Sequence, residues 1–183
     1  MAVRSAVAWP DSVRVIGTWV NTICAIVAMY VLMQVMVSDL AETSSLEADL
    51  RKGLSRGEFS LLYQPQVMST GEVMGAEALL RWNHPKRGFV SPGEFIVVAE
   101  QTGLIIPLGS WVLSTACAQL VEWSKLSHMA HLTLAVNVSA QQFGQADFVQ
   151  QVVDATVRSG ANPKLLKVEL TESMLAHDIE DII

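Results

Sequence analysis

The sequence predicts an α/β domain that follows a long apolar helix. In the second part of the chain, four segments rich in aliphatic residues alternate with segments of helical periodicity, a pattern typical of strands buried on both faces and joined by helices. Near the N-terminus, residues 15–38 contain no charged residue. At 183 residues the chain has room for one domain of usual size and an appended segment.

The uncharged run, VIGTWVNTICAIVAMYVLMQVMVS, is long enough to cross a hydrocarbon core of ~30 Å as a helix. It is too long for the apolar part of a signal peptide, and no small-residue cleavage site follows it. We therefore expect a retained transmembrane helix at residues 15–38, within an N-terminal segment of residues 1–45. Residues 46–183 would then form the α/β domain.

Positively charged residues flank the run on both sides: Arg4 and Arg14 before it, and Arg51, Lys52 and Arg56 after it. The slight excess after the run favours a cytoplasmic location for the domain. Because Asn21 and Gln34 dilute the apolar run, two alternatives stay open. The segment could be a buried amphipathic helix of a cytoplasmic protein, or a foreign reading frame fused to part of a domain.

Composition excludes some classes of partner. The net charge is −6 and no long run of lysine or arginine is present, so the chain lacks the basic surface that DNA or RNA polymers require. The two cysteines, Cys24 and Cys117, match no metal or redox spacing and lie in apolar contexts. We interpret both as reduced packing residues.

The elements of the domain are predicted from periodicity and from helix-end signals. Leu46, Leu50 and Leu54 indicate a short amphipathic helix before the first strand. The predicted strands are residues 59–65, 72–82, 132–139 and 165–171. The predicted helices are residues 92–103, 107–123 and 146–158, the first opened by a capping box in SPGEF. Strands separated by helices are expected to pair in parallel.

Three strands carry an oxygen-bearing side chain on one face near their carboxyl ends. With a two-residue period, Glu77 shares a face with Arg81 on the second strand, while Asn137 and Glu169 lie on the non-aliphatic faces of the third and fourth. The carboxyl ends of parallel strands are where α/β proteins bind ligands. Two carboxylates and a carboxamide suit a hard divalent cation, Mg²⁺, Mn²⁺ or Ca²⁺, better than zinc. Alternatively, Glu169 pairs with Lys167 or Arg81, Asn137 satisfies a backbone group, and Glu77 is exposed at a strand end.

Four motifs occur in a fixed order along these strands: YQP, AEALLRW, NVS and ELTES. Together they resemble the EAL domain, the bacterial phosphodiesterase of cyclic di-GMP. The resemblance runs from about Leu46 to the end of the chain. It implies a TIM-type (β/α) barrel and a two-metal hydrolysis of one phosphodiester bond, which gives linear pGpG. For a bacterial protein, the expected location is the inner membrane with the EAL portion in the cytoplasm.

The resemblance also implies roles for particular residues. Glu77, Asn137 and Glu169 look like ligands of Mg²⁺ or Mn²⁺. Arg81 looks like a phosphate contact, because its planar fork suits phosphate, and Gln64 and Leu79 look like parts of the dinucleotide pocket. Glu172 looks like a carboxylate that contacts the metal ligands without binding the metal itself.

The same resemblance predicts a barrel truncated after about four strands, because a TIM barrel has eight strands and about 250 residues. Family motifs that complete the site, including an Asp-Asp-Phe-Gly segment, a lysine and a glutamate, have no counterpart before Ile183. Asp178 and Asp181 are more typical of a solvated helix surface than of replacement ligands.

Three hypotheses follow from these motifs. The chain is an inactive, truncated phosphodiesterase; it is a membrane protein that binds cyclic di-GMP or docks onto a full-length EAL relative; or it is active through a second chain or a homo-oligomer. The first is the leading hypothesis.

Overall fold

The computed structural model describes residues 11–170, and the chain divides into two compact units after Ser45. The first element, helix α1, is continuous over Asp11–Arg56. The apolar run and the amphipathic segment predicted to follow it are therefore parts of one helix. It ends before Gly57, which has a φ of 70°, a left-handed conformation that favours glycine.

In the first unit, the large apolar side chains from Trp19 to Leu40 are more than half exposed. By length and composition alone, the stretches Gly17–Arg56 and Ile105–Ser124 could each cross a membrane. The second stretch is a helix of the α/β domain and is 44% buried there. Length and composition are thus weak evidence for a span, because a core helix meets the same criterion.

The second unit contains a five-stranded mixed sheet with the order β1-β2-β4-β5, to which β3 is added on β2. The strands are β1 (Phe59–Val67), β2 (Val73–His84), β3 (Gly88–Val90), β4 (Thr133–Val138) and β5 (Leu166–Leu170). Strands β2, β4 and β5 pair in parallel, as predicted. The alternation of strands and helices is also as predicted, apart from β3 and a four-residue helix after β4, which are too short for the periodicity to detect.

The all-parallel sheet that a TIM-type barrel implies is wrong for β1 and β2, which pair antiparallel with Phe59 opposite Trp82 and Gln64 opposite Glu77. Only residues 68–72 separate the two strands. A parallel pair needs a crossover of a dozen or more residues, whereas an antiparallel pair needs only a short turn. Gly71, with a φ of 86°, supplies the left-handed residue of this turn.

Helices cover one face of the sheet. They are α2 (Pro92–Thr102), α3 (Ile105–Ser124), α4 (Ala140–Phe143) and α5 (Phe148–Ser159). Gly103 and Gly160 end α2 and α5 in the left-handed conformation, as their positions in the sequence indicate. The capping box predicted for α2 is not formed: Ser91 is the N-cap and Pro92 follows it, but the Ser91 side chain makes no capping hydrogen bond.

Two apolar clusters form the core of this unit. One lies between α3 and the sheet and includes Leu134, Val136 and Val138 of β4. The other surrounds Trp82 and joins Leu46 and Leu50 of α1 to β1, α2 and the start of α3. Both clusters lie on the same side of the strands, so the opposite side is left for polar residues.

Candidate functional site

The candidate site lies on the side of the sheet that the helices do not cover. Residues that face each other across paired strands point to the same side of a sheet. Gln64 of β1 is opposite Glu77 of β2, and Asn137 of β4 is opposite Glu169 of β5. The parallel register places Asn137 two residues beyond the partner of Glu77, which is Ala135. These four side chains therefore lie on one face of the sheet, as the two-residue period predicts. The register arranges them in a diagonal row across it.

Glu77 and Asn137 are in direct contact. The Nδ2 of Asn137 donates a hydrogen bond of 2.6 Å to Oε1 of Glu77. A carboxamide presents its oxygen in place of its nitrogen after a half-turn about its last bond, so both side chains can direct an oxygen at one cation. A carboxylate and a carboxamide oxygen are ligands suited to a hard divalent ion. This pair therefore fits the metal that the sequence predicts.

Glu169 is half-buried beside Asn137 on β5. The alternative interpretation pairs this carboxylate with Lys167 or Arg81. No ion pair between Glu169 and either residue is present within residues 11–170. The carboxylate is thus available to a ligand that approaches the open face.

Arg81 lies two residues after Leu79 towards the carboxyl end of β2. Its Nη1 donates a hydrogen bond of 2.9 Å to the carbonyl oxygen of Leu80, and its side chain is half-buried. The remaining guanidinium N–H groups can donate to a phosphate, since arginine carries five such donors. Gln64 is exposed on the neighbouring strand.

A cavity of about 230 Å³ opens beside Arg81, at the point where β2 and β4 stop pairing. The last residues in register there are Ala78 and Val136. Its lining is mostly apolar and combines β2 and the end of β4 with α2, α3 and α4: Ala78, Leu79, Leu80, Arg81, Pro92, Ile96, Ile105, Leu108, Gly109, Val112, Asn137 and Gln142. An apolar cavity with a few polar groups at its edge is a common form of small-molecule site.

The turn after β4 was missed by the periodicity analysis. Ser139 is the N-cap of α4, and its hydroxyl accepts a hydrogen bond of 3.3 Å from the backbone N–H of Gln142. The Gln142 side-chain oxygen in turn accepts from the Ser139 N–H, also at 3.3 Å. The sequence Ser-Ala-Gln-Gln has the spacing of a capping box, so the signal was present.

The structure thus brings Glu77 and Asn137 into contact and places Glu169, Gln64, Leu79 and Arg81 on three strands, β5, β1 and β2, with their side chains on the same face. Glu172 lies outside the described residues. No group of three His, Cys, Asp or Glu side chains within residues 11–170 is placed to hold a metal. The donor set described here is therefore two carboxylates and one carboxamide from three strands.

Comparison with known proteins identifies the family. The EAL domain model matches residues 47–182. The bifunctional diguanylate cyclase/cyclic di-GMP phosphodiesterase MucR of Pseudomonas aeruginosa is 42% identical over 146 residues, 79% of this chain and 21% of that protein. The cyclic di-GMP phosphodiesterase PA2567 of the same species is 44% identical over 121 residues, 66% of this chain and 20% of that protein. The chain thus spans about a fifth of the length of these curated relatives.

Solved structures show the same fold. The PaMucR phosphodiesterase in complex with c-di-GMP superposes with a TM-score of 0.67 at 45% identity, over 70% of this chain and 52% of that one. The EAL domain of FimX from Pseudomonas aeruginosa, bound to c-di-GMP, gives a TM-score of 0.63 at 24% identity, over 74% and 53% of the two chains, and supports the fold alone. EAL phosphodiesterases generally use divalent metal ions. With its motifs, its mixed sheet and this match over residues 47–182, the chain belongs to the EAL domain family.

Proposed function

We propose that this chain carries the N-terminal part of a cyclic di-GMP phosphodiesterase site and that, alone, it binds the dinucleotide without hydrolysing it. The observation that carries the proposal is the contact between Asn137 and Glu77 on the open face, where the parallel pairing of β2 with β4 ends and β4 reaches its carboxyl end. Ligand sites of α/β folds lie at this edge of the sheet. Relatives named as cyclic di-GMP phosphodiesterases support the choice of substrate.

Each site residue has a proposed task. Glu77, Asn137 and Glu169 would hold a divalent ion, Mg²⁺ or Mn²⁺. When bound, such an ion supplies activation of water and neutralisation of the charge that develops on the phosphate. Arg81 would hold the phosphate through charge-assisted hydrogen bonds, and Gln64 and Leu79 would contact the dinucleotide from β1 and β2. Glu172 would support these ligands.

The proposal that hydrolysis is absent rests on the ligand set. Two-metal cleavage requires ligands for two ions, and the described residues offer two carboxylates and one carboxamide on this face. Within residues 11–170 the ligands of a two-ion site are therefore incomplete. The competing function is that of an active enzyme completed by a second copy or by a full-length EAL relative.

Binding and hydrolysis can be measured on the full chain in detergent. We expect calorimetry to detect cyclic di-GMP in the presence of Mn²⁺, and chromatography to detect no pGpG. Replacing Arg81 by alanine should weaken binding by about tenfold or more, because a charge-assisted hydrogen bond contributes roughly 1.5–3 kcal/mol. Arg158→Ala is the matched control, since Arg158 lies on α5 and bonds the Asp154 carbonyl.

The possible results separate the hypotheses. Release of pGpG that is abolished by Glu77→Gln would show that the chain is an enzyme and would overturn the proposed inactivity. Absence of dinucleotide binding in the wild-type chain would overturn the proposed site. If Arg81→Ala and Arg158→Ala weaken the binding of cyclic di-GMP equally, the effect reflects the loss of positive charge alone. This result would contradict the phosphate role of Arg81.

We further propose that α1 anchors the protein in the inner membrane, with the EAL portion in the cytoplasm. The exposure of large apolar side chains from Trp19 to Leu40 supports this. A spanning helix resists extraction by carbonate, so the protein should remain in the membrane pellet after a carbonate wash. Recovery of the protein in the wash would contradict a span and leave a cytoplasmic location.

A further inference from the structure

The backbone around Asn137 is supported unevenly. Pairing between β2 and β4 ends at Ala78 and Val136, one residue before Asn137. Pairing between β4 and β5 continues through Asn137 opposite Glu169 and Val138 opposite Leu170. Asn137 therefore has no ladder partner on the side of Glu77, the residue that its side chain must meet. The backbone of Asn137 is therefore held by the β5 ladder on one side and, on the side of Glu77, by whatever supports the chain after β4.

The next support along the chain is the turn that opens α4. Ser139 and Gln142 are both buried and bond each other reciprocally, with the Gln142 oxygen also accepting from the Ser139 hydroxyl at 3.3 Å. Helix α4 has only four residues, too few to be stable without such contacts. The position of this turn, two residues after Asn137, thus depends on the Gln142 side chain.

Gln142 is in turn fixed against helix α3. A Cβ atom added at Gly109 of α3 would overlap the Nε2 and Cδ atoms of Gln142. Gly109 lies inside a helix, where glycine is less favourable than alanine. The glycine therefore leaves room for the Gln142 carboxamide at a position where a helix on its own would favour a larger residue.

We propose that Gln142 and Gly109 are positioning residues that hold the carboxyl end of β4 so that the Asn137 side chain meets Glu77. Gln142 ties the turn after β4 to α3, and Gly109 provides the space in which it does so. The consequence for metal binding rests on the function proposed above. The positioning itself is a property of the apo chain and can be tested separately.

The variants that test this proposal differ in one property at a time. Gln142→Met keeps the length of the side chain and removes its oxygen, whereas Gln142→Glu keeps an oxygen that can accept from Ser139, as capping boxes allow. Gly109→Ala fills the space that Gln142 occupies. Gly93→Ala is its control, because Gly93 is also in a helix but a Cβ there meets only the Ser91 hydroxyl at 3.9 Å.

The first measurement needs no metal. In the full chain, labelled with ¹⁵N-asparagine and studied by NMR in detergent, the side-chain amide signal of Asn137 is identified by its loss in Asn137→Ser. We expect Gln142→Met and Gly109→Ala to shift this signal towards its position in Glu77→Gln and to speed its exchange with solvent. Gln142→Glu and Gly93→Ala should leave it in place. An unchanged signal in both Gln142→Met and Gly109→Ala would overturn the proposal.

The second measurement is the affinity for Mn²⁺ alone, determined by electron paramagnetic resonance. Partners that orient a metal ligand typically change metal affinity about 10–100-fold, so we expect losses of this size in Gln142→Met and Gly109→Ala. Rescue by Gln142→Glu would separate positioning from general destabilisation, and equal affinity in all variants would overturn the link to the site. If the wild-type chain binds no Mn²⁺, the proposed metal site is wrong, and the NMR result alone decides the positioning.

Discussion

The two faces of the sheet are built from alternate residues of the same strands and differ in burial and chemistry. In β4, Leu134, Val136 and Val138 point towards the helices and are at most 1% exposed. Asn137, between two of them, is exposed and bonds Glu77. The covered face of β4 consists of residues that need no partner other than apolar surface, whereas the open face combines polar residues such as Asn137 and Glu77 with apolar ones such as Leu79.

This difference separates stability from binding within a single element. Burial of apolar surface contributes roughly 25 cal/mol per Å², so the covered face supplies most of the free energy that keeps the strands together. Exposed hydrogen bonds contribute little net stability, since water replaces them on unfolding. Substitutions on the covered face should therefore change the free energy of unfolding, and those on the open face should change ligand binding.

The largest effect is expected from Trp82→Ala on the covered face. Trp82 is fully buried, stacks on Phe59 with ring centroids 5.4 Å apart, and donates from its indole nitrogen to Glu58 at 3.0 Å. Truncation of a buried tryptophan costs about 3–5 kcal/mol, so we expect denaturant unfolding to show a loss of this size in the free energy of unfolding. Phe89→Ala in the adjoining hairpin is the control, because that ring is 60% exposed. Equal losses in both variants would contradict the contrast between the faces.

A smaller loss is expected from Gly75→Ala, at the join between β2 and β4. A Cβ at this position would overlap both the hydroxyl and the backbone carbonyl oxygen of Thr133. Overpacking of this kind costs about 1–3 kcal/mol and should appear as a lower denaturation midpoint. Adding Thr133→Ala removes only the hydroxyl, so the double variant should recover part of the loss. Complete recovery would show that the side chain, and not the close approach of the strands, requires glycine.

The two faces also differ in how far the sequence predicts them. The alternation in LTLAVNVS assigns Val136 to the covered face and Asn137 to the open one, because burial follows the two-residue period directly. Periodicity gives no direction of pairing, and the all-parallel sheet of a TIM-type barrel is wrong for β1 and β2, whose short connection implies their antiparallel contact. Gln142 packs against Gly109, which lies in a helix far from it in the sequence, so no local sequence pattern predicts this contact.

On the open face, the contact between Asn137 and Glu77 should add little to stability. A double-mutant cycle with Asn137→Ala and Glu77→Ala isolates the energy of this one interaction. Because the bond is exposed, we expect a coupling energy of roughly 1 kcal/mol or less from urea unfolding without metal. A coupling of several kcal/mol would mean that this pair holds β2 and β4 together, and the separation of stability from binding would fail.

The smallest effect concerns Tyr63, which packs at the edge of the covered face with its ring centroid 5.4 Å from that of Trp123. Burial raises the pKa of Tyr63 above its ordinary value of 10.0, because the phenolate is poorly solvated there. The unfolded chain then releases this proton at lower pH than the folded one. The associated stability is complete below about pH 10 and is lost as the pH rises through the raised pKa.

Tyr63→Phe should remove the loss of unfolding free energy that titration of Tyr63 causes at alkaline pH. The difference in unfolding free energy between the variant and the wild type should therefore change with pH only above about pH 10. Tyr30→Phe, in α1 and outside the sheet, should keep the slope that Tyr63 causes. Absorbance of the phenolate in the folded protein measures the same pKa directly. A Tyr63 that titrates at its ordinary value would show that water reaches this edge of the sheet, and the covered face would then end before Tyr63 instead of including it.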